Sequence, residues 1–309
     1  MTKSRRGHRS AIGRDEAADG PPDAQDGGTA AGTGPGAVAR RVLAISGGAP
    51  AALKDDLIAR ELHLRVVAHG VELAALACSP VDLDQLVLGF LFSNGYIDRP
   101  EQVASLTIDA ERAVASASPA TAVVELEDQQ RVDNATAGLP VLRFVASGCG
   151  SPPPPRLGTD DAARMAQPGP AHRIGPSAIV AMARNLQRCS PLFGATGGVH
   201  AAALAGPLPE AADLLVVRED IGRHNAVDKV TGWALATGTD PADKVLLVTG
   251  RLSAEIVAKA ARLGVPVVLS RSAPTDLAVE AADAADITLI GFARADRANV
   301  YCNWWRIVE

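Results

Sequence analysis

The polar and apolar positions of the chain fall into runs whose period changes along its length. From residue 61 the pattern alternates, with Leu62, Leu64 and Val66 on one side and Glu61, His63 and Arg65 on the other. His69-Gly70 then leads into a second apolar run over residues 71–78, which predicts a β-hairpin half-buried on one face. Ser79-Pro80-Val81-Asp82 supplies a cap residue, a proline at the first helical position and an acidic first turn. Leu83, Leu86, Val87, Phe90 and Leu91 follow at helical spacing, and a helix is expected to end at Asn94-Gly95. Strand-like runs at 105–108 and 122–126 complete a small α+β unit. Ahead of it, residues 42–46, Gly47-Gly48 and residues 51–60 read as strand, turn and helix.

In the second half, strand patterns at 214–218, 245–249, 265–270 and 287–290 alternate with helical patterns at 225–236, 254–263 and 275–285. This predicts a mostly parallel sheet covered by helices. Ligands of such sheets sit beyond the carboxyl ends of the strands. Those ends carry Glu219-Asp220, Gly250-Arg251, Ser270-Arg271 and residues 291–294. The expected organisation is a leader over 1–40, too poor in apolar side chains to offset chain entropy, and an α+β subdomain over 41–146. A mobile loop over 147–172, marked by the proline run 152–155, then leads to an α/β domain over 173–309.

Composition narrows the function. The chain is 47% hydrophobic but only 3% aromatic, so its core is aliphatic. With 30 basic against 35 acidic residues and a net charge of -5, it lacks the basic excess of a protein that holds nucleic acid. The longest uncharged stretch, 190–209, contains four glycines and three prolines and does not read as a membrane span. Arg5-Arg6 are followed by no apolar stretch, so no export signal is expected. Four widely spaced cysteines then imply reduced thiols and a cytoplasmic protein.

Cys149 is the unusual cysteine, because it sits between Gly148 and Gly150 at the head of the proline-rich loop. Two readings stand on position alone: an approachable, reactive thiol, or a Gly-rich turn that happens to contain Cys. Cys78 and Cys189, at the ends of an apolar strand and a helix, fit buried positions. A thiol hydrolase would need His200 or His224 as base and Asp220 as orienter, but no nucleophile-elbow motif accompanies them. The histidines and cysteines have no paired spacing, so no metal site is expected. Asp220 to Asn225, with Asp228 and Lys229, reads either as cap and turn or as a donor set, Arg223, His224 and Lys229, for an anionic ligand. Arg251, and Arg294 with Arg297, repeat that chemistry on the same rim.

The longest of these motifs together resemble the formate dehydrogenase accessory sulfurtransferase (FdhD) family. The resemblance rests on 195–202 (ATGGVHAA), 218–229 (REDIGRHNAVDK), 250–253 (GRLS), 272–275 (SAPT), 289–294 (LIGFAR) and 299–301 (NVY), and covers about residues 41–305. It implies a cytidine deaminase-like, three-layer α/β/α domain without zinc, preceded by the smaller α+β subdomain, in a cytoplasmic homodimer. It also implies that a cysteine persulfide carries sulfur from a cysteine desulfurase to the molybdenum of bis(molybdopterin guanine dinucleotide), before that cofactor enters formate dehydrogenase. The carrier, first cysteine of the family's C-G-x-C-G loop, maps onto Cys149. The second cysteine of that loop would fall at Pro152, so no disulfide can close within the loop. That departure keeps a non-catalytic cofactor chaperone as the alternative reading. By the family's cofactor motif, binding maps onto Phe292, Ala293, Arg294, Ala295, Asp296 and Arg297, where the arginines suit pyrophosphate charge.

Overall fold

The computed structural model describes residues 34–116, 118–129, 132, 144–145, 173–206, 213–294 and 296–308. Cys149, Pro152 and Ala295 lie outside the described residues, as do most of the expected leader and the whole expected loop. The first elements among the described residues form an antiparallel ribbon, β1 (Ala37–Ser46) and β2 (Ala49–Ala59). The helix expected over 51–60 is therefore a strand, and β1 starts inside the span read as leader. Cross-strand partners explain it: Arg41 faces Asp55, Arg40 faces Asp56 and Leu43 faces Leu53. Opposite charges and apolar pairs across a ladder outweigh the local helical pattern of an alanine-rich run.

The expected hairpin is β3 (Leu62–Ala68) against β4 (Val71–Cys78). Leu64, Val66 and Ala68 are fully buried, while His63 and Arg65 face outward. His69 and Gly70 both take positive φ at its turn, the conformation that two-residue hairpin loops require. With β5 (Val103–Ile108), β6 (Ala120–Leu126) and β7 (Phe144–Val145) these strands make a five-stranded sheet ordered β5-β6-β3-β4-β7. A short helix α2 (Ala110–Ser116) joins β5 to β6. Helix α1 (Leu83–Ser93) packs on this sheet and begins later than its sequence signal suggested, because Asp82 in a left-handed conformation occupies the N-cap and Ser79 is used elsewhere.

The second sheet has six strands in the order β13-β12-β11-β10-β8-β9. These are β8 (His200–Ala205), β9 (Leu214–Asp220), β10 (Val245–Val248), β11 (Val267–Ser270), β12 (Thr288–Arg294) and β13 (Arg297–Cys302). Only the β10–β11 and β11–β12 pairings are parallel; β8 meets both β9 and β10 antiparallel, and β13 folds back on β12. The expectation of a mostly parallel sheet is thus corrected to a mixed one. The alanine-rich β8 carries little strand signal of its own, yet it inserts between β9 and β10.

The two faces of this sheet bury alternate residues. Ala202, Leu204, Leu246, Val248 and Val268 pack with α5 (Arg223–Thr237), α6 (Ala254–Leu263) and α7 (Asp276–Ala284). Ala203, Leu247, Leu269 and Ile290 pack with α3 (Pro176–Arg188), which presents Ile179, Met182, Ala183 and Leu186 at helical spacing. The result is a three-layer α/β/α arrangement. The one-turn-and-a-half helix α4 (Pro191–Thr196) lies between α3 and β8. No described helix is long and apolar enough to cross a membrane.

The two sheets are joined through α1 and α5. A Cβ on Gly89 would fall 1.8 Å from the carbonyl oxygen of Asp228, and one on Gly232 1.9 Å from that of Gln85. Only glycine lets the two backbones approach this closely.

Candidate functional site

Strand direction assembles the site. β10, β11 and β12 run parallel, and β9, antiparallel to β8, runs with them. Their carboxyl ends therefore share one rim with the start of β8 at His200 and the start of β13 at Arg297. A cleft of about 540 Å³ opens there. Phe193, Gly197 and Gly198 line it from α4, His200 and Thr249 from the middle of the sheet, and Arg271, Ser272 and Arg294 from the ends of β11 and β12. The sequence-based placement of a ligand beyond the strand ends thus coincides with a real concavity.

Two guanidinium groups give the cleft its character. Among the described residues neither Arg271 nor Arg294 has a carboxylate partner, and the Arg294 guanidinium lies over the Phe292 ring, 5.6 Å from its centroid. Phe292 has φ of 52° inside a strand, at a register shift between Gly291 and Arg294. Its amide donates to the carbonyl of Ser272 at 3.0 Å, which ties this bulge to the end of β11. A bulge of this kind re-aims the side chains that follow it, and here Arg294 turns to the cleft while Ala293 is fully buried. Asp296 and Arg297 are exposed; Arg297 pairs with Arg294 across the β12–β13 hairpin but does not line the cleft. Among the described residues of the expected cofactor segment, Arg294 is the one that lines the concavity.

His200 is half-buried, with Nδ1 3.4 Å from the Thr249 hydroxyl. Burial, and then the positive charge of Arg223, push its pKa below the ordinary histidine value, so it offers neutral hydrogen-bonding nitrogens rather than a cation.

The expected donor set Arg223, His224 and Lys229 divides differently. Lys229 is fully buried with its ammonium 2.7 Å from Asp220 Oδ2, and it also donates to the carbonyls of Ser79 and Glu219. Asp220 in turn accepts from the amides of Ser79 and Gly222 and from the Asn225 side chain. Lys229 therefore cannot meet a ligand, and Asp220 cannot orient a histidine for thiol hydrolysis. A lysine five residues after a histidine on a helix looks like a surface donor in sequence; the turn of α5 carries it inward. His224 is partly buried, 3.3 Å from a Glu255 oxygen, and desolvation pushes its pKa down to about 3. It too is absent from the residues that line the cleft. Arg223 packs beneath Gly250, whose added Cβ would lie 3.0 Å from the Arg223 Cβ.

The described cysteines also sort by burial. Cys78 is fully buried, and burial followed by the nearby Asp220 charge drives its thiol far above the ordinary range. Cys302 is buried and donates to the Ile287 carbonyl at 3.4 Å. Cys189, expected to be buried, is exposed just past the end of α3. What sequence reasoning missed was the α4 side of the cleft and its middle, Phe193, Thr249 and Ser272; strand-end position was the one available signal, and it pointed to Thr249 and Ser272 only.

Comparisons with known proteins place the chain in a family. A family model described as the FdhD/NarQ family matches residues 59–308. The Sulfur carrier protein FdhD of Geobacillus kaustophilus is 38% identical over 260 residues, covering 82% of this chain and 91% of that protein. Its counterpart of the same name in Bacillus subtilis is 36% identical over 256 residues, covering 82% and 92%. A solved structure described as a formate dehydrogenase accessory protein, from Desulfotalea psychrophila, superposes with a TM-score of 0.67 at 25% identity and covers 89% of this chain and 100% of its own. Because the family match runs from β3 in the first sheet to the residues beyond β13 in the second, and takes in both the buried Asp220–Lys229 pair and the Arg294 bulge, the chain belongs to the FdhD/NarQ family.

Proposed function

We propose that this protein is a sulfur carrier in formate dehydrogenase maturation, taking persulfide sulfur from a cysteine desulfurase onto Cys149 and passing it to the molybdenum of bis(molybdopterin guanine dinucleotide). The observation that carries the reading is the rim cleft, in which Arg271 and Arg294 stand without carboxylate partners among the described residues. Unpaired guanidinium groups in a concavity call for an anion, and the pyrophosphates of a guanine dinucleotide accept their paired N–H donors. The relatives named as sulfur carriers support the chemistry. The family resemblance supports a cytoplasmic homodimer.

In this reading the Cys149 thiolate attacks the terminal sulfur of the desulfurase persulfide, a new S–S bond forms as the old one breaks, and the desulfurase leaves as a thiolate. The protein then presents Cys149-bound sulfur to the cofactor, whose phosphates rest on Arg271 and Arg294. Pro152 cannot resolve the persulfide, so the two electrons that release its outer sulfur as sulfide and return Cys149 to a free thiol come from external thiol, two equivalents of which leave as a disulfide. Pro152 also favours a second reading, a non-catalytic chaperone that holds the cofactor for formate dehydrogenase.

Incubation with a cysteine desulfurase and free cysteine, followed by peptide mass spectrometry, separates the two. A gain of one or more sulfur atoms on the Cys149 peptide, lost in Cys149→Ala with nucleotide binding retained, is the expected result. Absence of sulfur at Cys149 while guanine nucleotide still binds would establish the chaperone instead.

A further inference from the structure

We infer that Glu219 is a positioning residue for the cleft: its carboxylate, reaching over from β9, holds the α4 wall against which the guanine dinucleotide packs. This inference rests on the cleft being the cargo site.

The argument begins at the first turn of α4. A helix leaves its first amides without internal partners, and they are normally served by the side chain at the N-cap. Here the N-cap residue Ser190 makes no such bond; its hydroxyl donates backward to the Leu186 carbonyl at 2.5 Å. Pro191 follows and has no N–H. The next two amides, of Leu192 and Phe193, both donate to Glu219, at 2.9 Å to Oε2 and 2.7 Å to Oε1. One carboxylate from a strand thus does the work of the missing cap, with one oxygen for each amide.

Glu219 is itself firmly held. It is 9% exposed, its carbonyl accepts from the Lys229 ammonium at 3.1 Å, and the next residue is the buried Asp220. The grip is therefore rigid at its strand end. At the other end, α4 has only six residues, too few to persist by helix propensity alone, and it leaves through Gly197 at a φ of 63°. Phe193, bonded directly to Glu219, lines the cleft together with Gly197 and Gly198. Release of the carboxylate frees the segment that shapes this side of the concavity, although Glu219 is not among the residues that line it.

The test uses guanosine diphosphate, which carries the guanine, ribose and diphosphate of the dinucleotide, with the full-length protein. Affinity by calorimetry and amide hydrogen exchange are measured for wild type, Glu219→Ala, Glu219→Gln and Arg294→Ala. We expect Glu219→Ala to weaken binding about tenfold or more, with faster exchange confined to α4. Glu219→Gln, which keeps one acceptor oxygen, falls between it and wild type in both readouts. A global scaffold role would instead raise exchange throughout the six-stranded sheet, and that result overturns the inference even in the milder Gln variant. Faster exchange in α4 with unchanged affinity also overturns it. If Arg294→Ala weakens binding and both Glu219 variants do not, the positioning role alone fails. If wild type does not bind the nucleotide, or Arg294→Ala binds it as wild type does, the cleft reading fails and takes this inference with it.

Discussion

The ammonium of Lys229 lies 2.7 Å from Oδ2 of Asp220, both side chains have no exposed surface, and the amide of Ser79 donates to the same carboxylate oxygen at 2.9 Å. The pair thereby joins the end of β9 and the second turn of α5 to the segment that leaves β4 of the other sheet. Removing one partner of such a pair strands the other charge in the interior, at a cost of about 3–5 kcal/mol. Lys229→Met is expected to lose that much stability, read as a lower urea midpoint at unchanged slope. A variant within about 1 kcal/mol of wild type would show the pair to be dispensable, as well-packed apolar replacements of whole pairs often are.

Close helix packing makes a second prediction. A methyl group on Gly232 would fall 1.9 Å from the Gln85 carbonyl oxygen, far inside contact distance. Gly232→Ala should therefore push α1 away from α5 and cost at least about 1–3 kcal/mol, the usual range for overpacking, visible as a drop in Tm. Gly95→Ala is not an equivalent control, because Gly95 has a φ of 80°; Gly194, with open space around its Cβ position, is the better one.

The two cleft arginines should act together on anion binding. Loss of one charge-assisted hydrogen-bonding group is worth roughly 1.5–3 kcal/mol, or about ten- to a hundredfold in affinity. Arg271→Ala and Arg294→Ala are each expected to weaken guanosine diphosphate binding by that factor and to flatten its dependence on salt. Arg297→Ala, outside the cleft, should change affinity by less than about threefold. Equal losses at all three positions would point to a diffuse surface field instead of a built site.

Stability should fall on mild acidification, with a sign set by His224. Burial, followed by the Lys259 and Arg223 charges, lowers its pKa from 6.5 to about 3. Between those values the unfolded chain binds a proton that the folded protein refuses, so this contribution is complete above pH 6.5 and is lost as pH falls through the window. From pH 7 to 5 the loss from His224 is about 2 kcal/mol. Glu255, whose carboxyl burial pushes upward, works in the opposite sense and only nearer its own range. Urea unfolding across this interval should show the decline, and His224→Gln should flatten it; equal slopes in both proteins would remove His224 as the cause.

Local patterns carried the hairpin, helices α1, α5, α6 and α7 and the strand ends, because each depends on side chains a few residues apart. The β3–β4 alternation, the helical run through Leu86 and Phe90, and the rim positions of Arg271 and Arg294 were all legible from spacing, since burying one face of a strand or helix dictates its period. The long motifs also identified the family, and Cys149 was singled out by its flanking glycines alone.

Pairing and burial were decided by residues far apart in sequence. The ribbon strand β2 prevailed over a helical reading because Asp55 and Asp56 meet Arg41 and Arg40 across a ladder. β8, four of whose six residues are alanine, became a strand because β9 and β10 offered it partners on both sides. Lys229, in the second turn of α5, and Arg271, just past the end of β11, are both basic residues that follow a strand end, and nothing local separates them. Only the fold, by aiming one at a buried aspartate and leaving the other at an open cleft, made the first part of the scaffold and the second part of the site, because the charge of a side chain is local while its partner is not.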